Sequence, residues 1–157
     1  TKAPAIPAGG KISLANKRKQ IGATQMSKRR SIEIPGLQHE NPIPLASQIG
    51  PFLVTSGVFG KDPKTGAIPP DIESQCALMF ANLRLIMEAA GGAPEDIIKM
   101  TVWVKDKALR PHVNKEWLAM FPDEHSRPAR HSLLNADLPG AALVQCEVMA
   151  VINEREG

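Results

Sequence analysis

Cysteine is scarce in this sequence: Cys76 and Cys146 lie far apart, with no CxxC or Cys/His spacing around either. That excludes a disulfide framework and a cysteine-based zinc site, and both thiols read as small buried apolar groups. Long apolar runs are missing too. Nothing approaches the ~18 residues of a membrane-spanning helix, and no apolar signal-peptide core follows the basic amino terminus. The expectation is a soluble, cytoplasmic protein. Acidic residues are absent from the first thirty positions, which hold eight Lys/Arg, so beyond Arg30 there are 11 basic and 16 acidic residues, a net of −5. The formal charge of +3 thus belongs to a tail, and the mildly acidic body has no basic stripe that would suit nucleic acid.

Residues 1–30 read first as a flexible or surface-docked extension, because TKAPAIPAGG is rich in Pro, Gly and Ala and like charges resist burial. An organelle-targeting or expression remnant is the second reading, with Met26 where a native start could lie. An electrostatic arm for RNA ranks last, since the tail lacks aromatic residues on which bases could stack.

What remains describes one domain, residues 31–157, with the ordinary composition of a globular protein: 43% hydrophobic and 22% charged over the whole chain. Ser31 to Pro35 alternates as a short strand, and 36–51 reads as irregular, punctuated by Pro42, Pro44, Gly50 and Pro51. Phe52 to Ser56 reads as a buried strand. The KDPKTG stretch then favours a hairpin with Gly66 left-handed. Asp71 is a natural N-cap for a helix with Ile72, Cys76, Phe80, Leu83, Met87 and Ala90 on one face, ended by Gly91 and Gly92. Its Cys and Met stripe is assigned to packing rather than to a cofactor.

Ile97 to Lys105 alternates as a strand with Ile98, Met100, Val102 and Val104 on its dry side. A second helix spans Leu109 to Phe121, and strands Ala129 to Asn135 and Leu143 to Asn153 follow, joined by a turn-prone segment containing Pro139 and Gly140. The order β-β-β-α-β-α-β-β implies an α+β sandwich, a largely antiparallel sheet with both helices on one face. The other face needs cover or must be wetted, which makes self-association the economical solution.

Taken in order, Phe52–Gly57 (FLVTSG), Asp62–Gly66 (DPKTG), Gln75–Gly91, Asp96–Asp106 (DIIKMTVWVKD) and Arg127–Ser132 (RPARHS) closely resemble the Rid family of YjgF-type reactive intermediate deaminases, over roughly Asn41 to Ile152. The resemblance implies a chorismate-mutase-like fold, a homotrimer with ligand clefts between subunits, and cofactor-free hydrolysis of small enamines and imines such as 2-aminoacrylate. Within it Arg130 matches the arginine that binds the substrate carboxylate, a role suited to a planar guanidinium fork. Residue type alone would favour a structural ion pair, for instance with Glu147. The resemblance reverses that preference.

Ser56, Gly57 and Ser132 match cleft positions, and Asn114 is assigned to substrate binding with them. Two departures stand out. Leu45 falls near the place of a cleft tyrosine, in a chain with no tyrosine at all, and Gln145 stands where family deaminases carry the glutamate that manages the attacking water. An amide cannot act as a general base. Glu147, on the same face roughly 7 Å along the strand, is the candidate substitute. His131 should point away from Arg130, and His39 lies in the loop before the matched region. Three outcomes stay open: an imine deaminase, an aminomuconate-type deaminase of a ring-cleavage pathway, or a non-catalytic binder of 2-oxo acids. A ribonuclease is disfavoured by the acidic body.

Overall fold

The structure is a computed structural model that describes residues 28–153. The reading of the basic extension falls outside them apart from Lys28 to Arg30, and Arg30 already opens the first strand. The strands are β1 (Arg30–Ile32), β2 (Ala46–Ile49), β3 (Phe52–Thr55), β4 (Val58–Phe59), β5 (Ile97–Val104), β6 (Ala129–Leu134) and β7 (Val144–Val151). Helix α1 (Ile72–Ala89) lies between β4 and β5, and α2 (Arg110–Met120) between β5 and β6.

Local chemistry explains α1. Asp71, in extended backbone, accepts the Ser74 amide at 2.9 Å, and Glu73 complements the positive end of the helix. At the other end Gly91, at φ +82°, turns the chain so that its amide reaches the Glu88 carbonyl and the Gly92 amide reaches that of Met87. That double bond is a Schellman closure. One face buries Cys76, Met79, Phe80, Leu83, Ile86 and Met87 against the sheet. The short α2 contributes Val113 and Trp117, with Phe121 edge-on to Trp117 at 4.8 Å between ring centres.

The architecture is α+β with two helices, as expected, but the sheet is mixed. Its order is β1-β2-β3-β7-β5-β6, with β4 also on β7. All pairings are antiparallel except β5 with β6, which run parallel through the α2 crossover. The segment 36–51, read as irregular, contains β2, which pairs with β3 across a tight turn where Gly50 has φ +55°. No second strand follows the KDPKTG turn. Asp62 and Ala67 close it by a backbone bond with Gly66 at φ +74°, and the chain then runs on to α1. Ile98, placed by alternation on the dry side, is exposed, because a bulge between Ile97 and Lys99 inserts it as an unpaired residue. Met100, Val102 and Val104 keep the expected burial.

The core lies between the helices and one face of the sheet, where Met100, Val102, Val144, Cys146, Val148 and Ala150 are buried. The opposite face carries the odd-numbered residues of β7 and exposes Ile49, Phe52, Leu133 and Met149. Among the described residues no helix is long and apolar enough to cross a membrane.

Candidate functional site

Ladder partners in a sheet point to the same side, so register fixes which side chains can meet. Arg130 is opposite Met100 and Ser132 is opposite Val102, two fully buried residues of the helix-facing side. Arg130 and Ser132 therefore face the helix layer, at the edge strand β6, where α2 overlies them. Across that gap α2 presents Arg110, Asn114 and Trp117, spaced by four and three residues as one stripe.

The contacts are specific. The Arg130 guanidinium lies 4.7 Å above the centre of the Trp117 ring, and its Nη2 donates to Asn114 Oδ1 at 2.7 Å. Stacking on the indole fixes the plane of the fork, and Asn114 fixes its rotation. Nη1 is buried without a hydrogen-bond partner. Burial, and then the positive charge of nearby Arg110, lower the Arg130 pKa from its ordinary value. Arg110 itself reaches the Ser132 carbonyl at 3.4 Å while its Nε is buried and unpartnered. A guanidinium oriented in this way, with no carboxylate paired to it among the described residues, is suited to receive an anion. The structural ion pair with Glu147 is not formed: Glu147 is opposite Thr101, on the other side of the sheet.

That other side holds the remaining candidates. Gln145, opposite Phe59 and Trp103, lays its amide against Gly57 so closely that a Cβ at Gly57 would collide with Nε2. Any larger residue at 57 would push the Gln145 amide out of this position. Beside it the Ser56 hydroxyl donates to the Pro44 carbonyl at 2.8 Å, and the Ser56 amide bonds to the carbonyl of Leu45, which is itself buried. The Ser56 hydroxyl thus anchors the preceding loop and keeps only acceptor capacity. Glu147 follows Gln145 on the same side, as the alternation predicts. His131 also faces away from Arg130 and meets Lys99 Nζ at 3.0 Å. His39 has a buried, unpartnered Nε2 and borders a cavity of about 30 Å³ with Leu45, Gly57, Lys61 and Asn82. Burial and the Lys61 charge lower its pKa.

One chain thus assembles two separate groups. Arg130, Asn114 and Ser132 come together at the β6 edge; Ser56, Gly57, Gln145 and Glu147 gather around β4 and β7, with Gln145 and Glu147 pointing to the opposite side of the sheet from Arg130. Arg110 carries no motif that marks it in the sequence, and Trp117 fits the apolar stripe of its helix, so only the Arg-x3-Asn-x2-Trp spacing hints at their shared face. Among the described residues no group of three or more His, Cys, Asp or Glu side chains is arranged to hold a metal ion.

Residues 41–152 match the family described as Endoribonuclease L-PSP. The chain is 38% identical over 104 residues to the 2-iminobutanoate/2-iminopropanoate deaminase of Salmonella typhimurium, covering 66% of this chain and 81% of that one. It is 36% identical over 105 residues to the putative reactive intermediate deaminase TdcF of Escherichia coli, again 66% and 81% of the two chains. Among solved structures, the YjgF gene product of E. coli superposes with a TM-score of 0.72 at 32% identity, over 79% of this chain and 99% of that one. E. coli TdcF with bound serine gives 0.73 at 30% identity over the same shares.

Proposed function

Given that this chain belongs to the endoribonuclease L-PSP family of YjgF/Rid proteins, we propose that it is a cofactor-free hydrolytic deaminase of small enamine and imine carboxylic acids. The observation that carries the reading is the Arg130 guanidinium, stacked on Trp117, turned by Asn114 and, among the described residues, paired with no carboxylate. It holds the substrate carboxylate. The relatives named as 2-iminobutanoate/2-iminopropanoate deaminases support the reaction class.

The chemistry asks little of the protein. An enamine such as 2-aminoacrylate takes a proton at its terminal carbon and gives the iminium; water adds to the iminium carbon and gives up a proton; the C–N bond breaks, and the products are a 2-oxo acid and ammonia. The protein's share is to hold the carboxylate and seat one water in line with that carbon. Gln145 can orient the water by hydrogen bonding, and Glu147 or the departing nitrogen receives its proton.

The two residue groups lie on opposite sides of one sheet, and the open side is apolar around Ile49, Phe52, Leu133 and Met149. A chorismate-mutase-like homotrimer packed through those open faces satisfies both facts, each cleft taking Arg130 from one subunit and Gln145 with Gly57 from the next. Incubation with freshly generated imines of alanine and 2-aminobutyrate tests the reading. Faster 2-oxo acid release than in buffer, lost on Arg130→Met, is expected; no acceleration with either imine refutes it.

A second reading, a non-catalytic binder of 2-oxo acids, is favoured by one observation, the amide of Gln145 where a carboxylate would act as base. It predicts calorimetric binding of 2-oxobutyrate without turnover.

A further inference from the structure

Arg110 opens α2, at the end where the aligned peptide dipoles disfavour a cation, and no acidic residue shares that first turn. It gains nothing there as a helix residue. Across the groove its neighbour is a second guanidinium, that of Arg130, and among the described residues no carboxylate bridges the two. The arrangement is nonetheless fixed. Arg110 Nη2 rests on the carbonyl of Ser132, two residues beyond Arg130 on β6, while Asn114, one turn along α2 from Arg110, holds Arg130. The two cations therefore lie side by side along the strand, offset by roughly one pleat repeat of about 7 Å at the backbone, and each keeps a buried donor without a partner, Nε on Arg110 and Nη1 on Arg130.

A single small carboxylate satisfies one fork. It leaves the other cation repelled by its neighbour and without a counter-charge. A ligand with two carboxylates on a short carbon chain answers both. We propose that Arg110 forms a second anion subsite, so that the preferred ligands are the imines and 2-oxo acids of dicarboxylic, aspartate- or glutamate-like compounds, with the carboxylate next to the reacting carbon on Arg130 and the distal one on Arg110. This rests on the reading of Arg130 as the carboxylate grip and names the substrate class of that same site.

The test is calorimetric titration of the full chain with 2-oxobutyrate and with 2-oxoglutarate, on wild type, Arg110→Met, Arg110→Lys and Arg130→Met, with the oligomeric state of each followed by light scattering. Wild type should favour 2-oxoglutarate by about ten- to a hundredfold, the size of one charge-assisted hydrogen bond. Arg110→Met should abolish that preference by weakening 2-oxoglutarate alone, and Arg110→Lys should restore part of it. Arg130→Met should lose both ligands. If Arg110→Met weakens both ligands equally, changes neither, or dissociates the assembly, the second subsite is refuted while the Arg130 grip stands. Retention of both ligands by Arg130→Met would overturn the grip itself, and the subsite with it.

Discussion

Replacing Gln75 by leucine keeps the side-chain volume close to native but removes three hydrogen bonds at a fully buried position. Gln75 is 0% exposed; its Nε2 donates to the Pro69 carbonyl at 2.8 Å and to the Ala141 carbonyl at 2.9 Å, and its Oε1 accepts the Leu143 amide at 2.8 Å. One amide thus ties the loop entering α1 to the segment entering β7. After substitution the Leu143 N–H is stranded, which costs about 1–3 kcal/mol, and the two carbonyls cost about 1 kcal/mol each because an oxygen finds substitute partners more readily. The expected loss is about 3–5 kcal/mol, a large share of a typical domain's 5–15 kcal/mol. Urea denaturation at one fixed protomer concentration, followed by the fluorescence of Trp103 and Trp117, measures it. Gly60→Ala should lose a comparable amount, since a Cβ there would strike the Gln75 backbone carbonyl. A loss below about 1 kcal/mol for Gln75→Leu would show that these bonds do not restrain the two segments.

Gln145→Glu should raise turnover of a stable imine by at least about tenfold with little change in KM, because proton transfer by a positioned group is typically worth 10²- to 10⁴-fold; unchanged turnover would mean that proton handling does not limit the reaction. Both cysteines should resist thiol reagents at pH 8 in the folded protein and react after denaturation. Burial raises the Cys76 thiol to about 12 and pushes that of Cys146 higher still, so fast labelling of either in native protein would contradict the packing. Stability should fall as pH drops through 6.5, the ordinary value of His39, because its lowered folded pKa lets the unfolded chain take up a proton first; His39→Gln should flatten that part of the denaturation profile, and an unaltered slope would count against the burial of its Nε2.

Helix α1 was legible end to end because its signals are local: Asp71 before the periodic stripe and Gly91 after it. Strand β2 was not. Its Ser47 and Gln48 give no alternating pattern, and it is a strand only because β3 folds back on it. The turn cue at Pro139 and Gly140 was sound, but it joins strands that are not neighbours, and which strand lies beside which is a property of the whole sheet. The parallel β5 and β6 do follow from the helix between them, a crossover that the element order already contained. At the candidate site, Arg130 is singled out by its motif rather than its physics. Parity within a strand correctly paired Gln145 with Glu147 and Arg130 with Ser132. Relating one pair to the other needed the register through β5, which no local pattern encodes.

The position of β7 bears on how the molecule comes to be made. It pairs with β3, β4 and β5, so the sheet's two wings, β1 to β3 on one side and β5 with β6 on the other, share no ladder until it is in place. It is also the last of the described strands in chain order. During synthesis the earlier segments can therefore pair only as a three-stranded meander on one side and a strand-helix-strand unit on the other, each with an unpaired edge, until residues 144–151 emerge to join them. A stop codon just ahead of Val144 would spare Arg130, Asn114, Ser56 and Gly57 and still leave two fragments of a sheet, prey to aggregation and proteolysis, in place of a protein.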